Sequence, residues 1–306
     1  MEVIMSDISL AIDIGGSKLL VGVVDKEGNI ISQAKTMFIH PTQNSIMKDI
    51  RELCTSMIAG KDVGSIGVSI PGLADPNRGL WLDSVFSKVH DFPIGPILFD
   101  TFHLPVFIDN DANNCACAER MFGCAKHVDD FIWLTISNGC GSGVFLGGKL
   151  FSGCFGNAGE IGHICVTDEP YVCPCGNVGC LEAVAAGPGI VRRYLKATGI
   201  SKTSLSAKDI ADLAKKGDEV ALSVFQKTGI YIGRAIAAAV NVLNVPLVVL
   251  GGGISLDSNL FMNQVKESVA QHIYRTANRN LEITTTKLGY DASLLGAAAN
   301  AFIYMK

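Results

Sequence analysis

The sequence predicts an α/β protein built from two related domains, and three observations carry that prediction. A strand, a glycine- and hydroxyl-bearing turn, a second strand, a polar turn and a third strand occupy residues 9–35, and the same order returns over residues 131–151. Segments of helical period alternate with short apolar runs between and after the two copies. No low-complexity stretch separates them, so the division into domains falls at hinges, near 109–113 and near 288–292. Two such copies suggest a duplicated domain with two facing phosphate-binding turns. The smaller domain would hold residues 1–110 and 290–306, and the larger residues 111–289.

The first copy begins with the run Ser9 to Asp13, followed by Gly15-Gly16-Ser17 and a second apolar run from Lys18 to Asp25. Lys26-Glu27-Gly28-Asn29 is turn chemistry, and Ile30 to Lys35 is a third strand. Glycines in the first turn allow backbone N–H groups to approach a phosphate, and Asp13 at the strand end suits a hydrated Mg²⁺. An ordinary hairpin with a polar turn has the same signature. Ile46, Ile50, Leu53 and Met57 share one face of a helix over residues 43–59. Val63 to Ile70 reads as a buried strand ending at Pro71-Gly72, residues 78–96 show no period, and 97–104 reads as a short helix.

Pro105 to Ile108 is a strand that runs into Asp109-Asn110-Asp111-Ala112-Asn113, with a helix from Asn113 to Phe122. A carboxylate between a strand end and a helix start is well placed to take a proton from a hydroxyl, and Asn110 is placed to bond a neighbouring one. Asp111 equally fits as the cap of the following helix.

The second copy consists of the strand Phe131 to Ile136, the turn Ser137-Asn138-Gly139-Cys140-Gly141-Ser142-Gly143, the strand Val144 to Leu146, and the continuation at Leu150-Phe151. Next comes Glu160 to Glu182, in which His163, Cys173, Cys175 and Cys180 supply one imidazole and three thiolates. That is a closed tetrahedral ligand set for a structural Zn²⁺, with Pro174, Gly176 and Gly179 permitting the tight turns. Glu160 and Glu182 flank the set as acceptors suited to a hydroxyl-rich ligand. Without a metal, these residues read as free thiols and solvated carboxylates. Helices follow over 183–197, 207–216 and 219–244, then a buried strand from Pro246 to Leu250. Gly251-Gly252-Gly253 at its end either let a flat ligand lie on the backbone or form a plain turn. A helix over 259–274, a strand from Leu281 to Leu288 and a terminal helix over 292–304 complete the chain.

Composition narrows the classes. Apolar residues make up 48% of the 306 residues and charged residues 18%, which excludes a disordered chain. A net charge of −4 without a basic cluster excludes a nucleic-acid footprint. No apolar run spans a membrane and the first residues lack a signal peptide's order, so the expected location is the cytoplasm. Ten cysteines in a reducing compartment leave seven outside the metal set, read as small apolar core residues.

These residues resemble the ROK family of bacterial sugar kinases and repressors, within the actin-like ATPase superfamily and its ribonuclease H-like fold, which implies duplicated mixed β-sheet domains with a cleft between them. The likeness is carried by Ile12 to Lys18, Asp109 to Asn113, the 137–143 turn, Glu160 to His163, Cys173 to Glu182 and Leu250 to Gly253, in family order. It implies Asp111 as the general base that deprotonates a sugar hydroxyl, usually O6. It implies Gly72, Asn110, Asp111, Glu160, His163 and Glu182 at the sugar, with His163, Cys173, Cys175 and Cys180 on zinc. Asp13, Gly15, Gly16, Ser17 and Lys18 would meet ATP phosphates and Mg²⁺. Asn138, Gly139, Gly141 and Gly143 would form the second phosphate turn, and Gly251, Gly252 and Gly253 would meet the nucleoside.

The resemblance further implies a homodimer with a small-molecule sugar and ATP as partners. Ser17 and Asn138 stand where the family usually has Thr, and residues 84–93 lack the Asn-Leu-x-Trp pattern of glucose-specific members. The expected function is an ATP-dependent hexose or N-acetylhexosamine kinase. The alternatives are a sugar-sensing transcriptional regulator, whose helix-turn-helix would precede a turn that here starts at residue 13, and a catalytically silent sugar-binding protein.

Overall fold

The structure, a computed structural model, describes residues 6–38, 41–84, 89–201 and 204–305. The chain forms two compact units. The first holds residues 1–127, 150–158 and 290–306, and the second holds residues 128–149 and 159–289.

In the first unit, β1 (Ile8–Ile14), β2 (Lys18–Asp25) and β3 (Ile30–Met37) form an antiparallel meander. Helix α1 (Gln43–Ile58) leads back to β4 (Ser65–Ile70), which lies parallel to β1. A small antiparallel sheet of β5 (Leu73–Asp75), β6 (Leu80–Asp83) and β7 (His90–Phe92) precedes α2 (Ile94–Phe102). Then β8 (Val106–Asn110) joins β4 in parallel and passes straight into α3 (Asp111–Met121). The main sheet has the order β3-β2-β1-β4-β8.

Residues 78–96, which show no sequence period, thus contain β6, β7 and the start of α2. Strands of three or four residues are too short to show alternation. Buried Trp81 fixes them, its Nε1–H donating to Pro71 O at 3.0 Å. Residues 85–88, within the segment that lacks the glucose-type pattern, lie outside the described residues.

The C-terminal helix, Ala292–Tyr304, belongs to this unit and packs on β1, β4 and α3. It reaches the backbone itself: a Cβ on Gly67 would stand 1.8 Å from Ala297 O, and one on Gly296 would stand 2.2 Å from Asn114 O. Asn114, fully buried, ties the junction together. Its Nδ2 donates to Val68 O and Asp109 O, and its Oδ1 accepts from Asn300 Nδ2.

The second unit repeats the plan. Strands β9 (Phe131–Ile136), β10 (Cys140–Leu146), β11 (Lys149–Leu150), β12 (Leu247–Gly251) and β13 (Glu282–Thr285) are ordered β11-β10-β9-β12-β13. As in the first unit, the first strand pairs antiparallel with the second and parallel with the fourth. The predicted duplication is therefore present in strand order and in strand sense. Helices α4 (Leu181–Ala185), α5 (Gly187–Thr198), α6 (Ala207–Lys215), α7 (Glu219–Leu243) and α8 (Met262–His272) cover the sheet. The predicted helix 183–197 is two helices, because Pro188 lacks the N–H a continuous helix would need. The predicted 259–274 helix is α8 preceded by a 3₁₀ segment over Gly253–Leu260.

Each unit has its own apolar core, centred on Ile12, Val21, Val68 and Ile108 in the first and on Leu134, Leu181, Ile236 and Leu250 in the second. Cys54, Cys115, Cys117 and Cys140 are buried as expected, but Cys124, Cys154 and Cys165 are exposed, on connecting segments rather than in a core. No helix among the described residues is long and apolar enough to cross a membrane.

Candidate active site and metal centre

The first glycine turn joins β1 to β2 through residues 15–17. Asp13 is buried one residue before the end of β1. Loss of hydration pushes its carboxyl up, opposed by a hydrogen bond from Ser293 and by the charge of Lys18. Gly15 N–H donates to Lys18 O at 2.8 Å, and Gly16 and Ser17 are exposed. Gly15 is not held in a left-handed conformation, and a Cβ added there would meet nothing closer than 3.4 Å. The fold itself does not require glycine at this position. Gly72 differs: its φ is +90°, and a Cβ there would stand 2.2 Å from Asp83 O, so the backbone demands it.

The strand–helix junction at β8 and α3 decides the capping half of the double reading of Asp111. Helix α3 starts at Asp111 rather than Asn113, and Asn110 is its cap: Asn110 Oδ1 accepts from Asn113 N–H at 2.7 Å. Asp109, buried, braces the junction by accepting from Asn110 N–H at 2.7 Å and Asn113 Nδ2 at 2.9 Å, and burial pushes its carboxyl up to about 6. Asp111 therefore occupies the first helical position without serving as the cap. Solvent reaches it, yet it sits deep enough among protein atoms for lost hydration to raise its carboxyl to about 6, with the charge of Asp13 adding to the rise.

In the second unit the glycine turn is shorter than the sequence suggests. Cys140–Leu146 is strand, so Gly141 and Gly143 lie within β10 opposite Thr135 and Trp133, and only Ser137, Asn138 and Gly139 turn. Antiparallel pairing with β9 extends through the glycines because β10 is buried on a filled core. Asn138 is exposed. Glu182, on α4, reaches into the turn: its Oε2 accepts from Cys140 N–H at 3.0 Å, and a Cβ on Gly139 would stand 2.8 Å from that oxygen. The glycines after β12 also answer to internal packing. A Cβ on Gly251 would stand 2.0 Å from the Trp133 ring, and Gly252 has a φ of +83° with Ile136 O 2.4 Å from a Cβ position. Gly253 has no such contact inside 3.9 Å.

His163, Cys173, Cys175 and Cys180 come together as expected. Their donor atoms all lie within 4.8 Å of one another. Cys173 Sγ is 3.6 Å from His163 Nδ1, and Cys175 Sγ is 3.7 Å from Cys180 Sγ. A tetrahedron with metal–ligand lengths typical of zinc has edges of about 3.5 Å between N and S and about 3.8 Å between two S atoms. Those two edges match a zinc tetrahedron, and the other donor pairs, all within 4.8 Å, would close by up to about 1 Å on a bound ion. His163 Nδ1 faces the thiols, and Nε2 is turned toward Glu160, 3.7 Å away. Glu160 is half-exposed, its carboxyl raised by lost hydration, lowered by His163 and raised again by Glu182. Cys173 Sγ lies 3.9 Å from Glu182 Oε1, so Glu182 spans from the cysteine cluster to the second glycine turn.

Three side chains that sequence reasoning left outside the site adjoin it: Asp109, Ser69 and Ser293. Asp109 lay within the quoted motif. Ser69 and Ser293 carry no motif spacing, and only tertiary packing brings them to Asp13.

Comparison with known proteins bears on this arrangement. The ROK family model matches residues 9–302. A glucokinase from Thermotoga maritima is 30% identical over 305 residues, covering 95% of this chain and 96% of that protein. The structure of a ROK family glucokinase from Streptomyces griseus in complex with glucose and AMPPNP is 31% identical, with a TM-score of 0.83 over 95% of this chain and 98% of that one. The structure of a ROK family transcriptional regulator, a homolog of the E. coli MLC protein, is 28% identical, with a TM-score of 0.88 over 96% of this chain and 77% of that one. The two mixed sheets and these neighbours give the actin-like ATPase fold. The chain belongs to the ROK family.

Proposed function

We propose that this chain is an ATP-dependent sugar kinase that phosphorylates a hexose or an N-acetylhexosamine at O6, with Asp111 as general base. The observation that carries the reading is the Asp111 carboxyl. It begins a helix that Asn110 caps, and its surroundings raise it to about 6, so it is ionised at neutral pH yet basic enough to take a hydroxyl proton. The likeness to a glucokinase crystallised with glucose and AMPPNP supports the substrate class.

In this reading Gly72, Asn110, Glu160, His163 and Glu182 orient sugar hydroxyls or an N-acetyl group. Asp13, Gly15, Gly16, Ser17 and Lys18 hold ATP phosphates and Mg²⁺. Asn138, Gly139, Gly141 and Gly143 serve the phosphates from the second unit, and Gly251 to Gly253 the nucleoside. The open Gly15 turn beside a buried carboxylate fits that use. When bound, the cation neutralises charge that develops on the transferred phosphoryl group. His163, Cys173, Cys175 and Cys180 would hold a structural Zn²⁺ that fixes Glu160 and Glu182.

A second reading, a sugar-sensing regulator, is favoured by the likeness to the MLC-type protein. A coupled ADP-release screen over glucose, mannose, fructose, allose, N-acetylglucosamine and N-acetylmannosamine separates the two. The kinase reading expects sugar-dependent ADP release with at least one of them. Sugar binding without ADP release would favour the regulator.

A further inference from the structure

Three elements of the first unit converge on Asp13. Asp13 on β1 and Ser69 on β4 are register partners in the parallel pair, so backbone pairing fixes their spacing. Ser293 enters from the first turn of the C-terminal helix, which the close approach of Gly67 to Ala297 O and of Gly296 to Asn114 O holds against the sheet. Ser293 Oγ donates to Asp13 Oδ1 at 2.7 Å. The same Ser293 Oγ lies 2.9 Å from Ser69 Oγ. A hydroxyl has one proton, and Ser293 gives its own to the carboxylate. Ser69 must then donate to Ser293, so the bonds run in one direction, from Ser69 to Ser293 to Asp13.

We infer that Ser293, oriented by Ser69, is a positioning residue that grips Asp13 by Oδ1 and reserves Oδ2 for the ligand of the first glycine turn. The terminal torsion of an aspartate is broad and two-fold, so an ungripped carboxylate at this position would sample several orientations. A hydroxyl bond to a charged oxygen is among the stronger hydrogen bonds and restricts that motion. The inference rests on the kinase reading above for what the gripped carboxylate is used for, and on geometry alone for the grip itself.

Two measurements test it. In steady-state kinetics Ser293→Ala should lower kcat about tenfold while the KM for sugar stays within about twofold. Ser293→Thr, which keeps the hydroxyl, should restore kcat. Ser69→Ala removes only the orienting donor and should lower kcat less, by about twofold to threefold. The second readout needs no turnover. Ser293→Ala should lower the urea midpoint of the unaltered chain, and it should lower it less in a chain carrying Asp13→Ala, where only the bond from Ser69 is left to lose. An unchanged kcat in Ser293→Ala, or equal midpoint losses in both backgrounds, would overturn the inference. An unaltered chain that phosphorylates no sugar defeats the kinase reading instead, and the midpoint comparison still decides the grip.

Discussion

The two glycine turns occupy matching places in two units of the same strand order, yet they are built differently. In the first, nothing inside the protein needs the glycine: Gly15 has no left-handed φ and no neighbour closer than 3.4 Å to a Cβ. In the second, Glu182 already occupies the turn, accepting from Cys140 N–H and standing 2.8 Å from where a Gly139 Cβ would be. An open turn beside a buried carboxylate leaves room for the phosphate and cation of the proposed reading. A turn filled by a carboxylate must share its N–H groups or give up Glu182 before an anion enters. Duplicated topology therefore does not imply duplicated chemistry. In the proposed reading the first unit carries the groups that react, and the second carries a Cys/His cluster that Glu182 joins to its own turn.

The largest test of that division is Asp111→Asn. Because Asn110 is the cap, the substitution removes no helix-capping bond, and stability should change little. Without a base, turnover should fall by roughly 10²–10⁴-fold while sugar affinity survives, since an amide still bonds a hydroxyl. The pH profile sharpens the point. A base must be ionised to accept a proton, and the Asp111 carboxyl is raised to about 6, so kcat/KM should fall as pH drops through about 6. Asp111→Asn should lose that limb along with the rate. A variant that keeps near-normal turnover would remove the chemistry from the first unit.

Breaking the second unit should have the opposite signature. Protein purified without added metal should contain about one zinc per chain by elemental analysis, and Cys175→Ala should lose it. Cys173 lies 3.9 Å from Glu182, and His163 faces Glu160, so loss of the metal should release both carboxylates. Sugar affinity should weaken by roughly 10–100-fold as their orientation is lost. Full affinity in a zinc-free variant would show that the cluster does not organise the acceptors.

How much of this was legible beforehand follows from the range of each signal. The meanders, the duplication and the cysteine cluster are local patterns, and the structure has them where the residues placed them. The sequence offered Asp111 as the cap, whereas the cap is Asn110; Asn and Asp cap a helix about equally well, and only the hydrogen bond from Asn113 N–H to Asn110 Oδ1 decides between them. Gly141 and Gly143 read as turn because glycine is punctuation in a sequence, whereas their strand pairing depends on β9. The contact between Glu182 and Gly139 spans more than forty residues of chain, and that between Ser293 and Asp13 spans 280. No spacing rule reaches that far.

The smallest expected effects separate the two turns most cleanly. Gly15→Ala adds a Cβ with no contact under 3.4 Å at a residue whose φ an L side chain tolerates. Restricting the unfolded chain should then raise stability by about 0.4–1 kcal/mol. If the turn's glycine exists for a ligand's approach, the KM for ATP should rise several-fold in the same variant, with the KM for sugar unchanged. Gly139→Ala places its Cβ against the Glu182 carboxylate, the movable end of a side chain, so the carboxylate must shift and weaken its bond to Cys140 N–H. That variant should lose a little stability, about 0.5–1.5 kcal/mol, and should raise the KM for sugar, through Glu182, as well as the KM for ATP. Urea melts and paired KM measurements on the two variants read all four quantities. Identical behaviour at Gly15 and Gly139 would mean that the two turns do the same work, and that Glu182 moves out of the second turn without consequence when ATP binds.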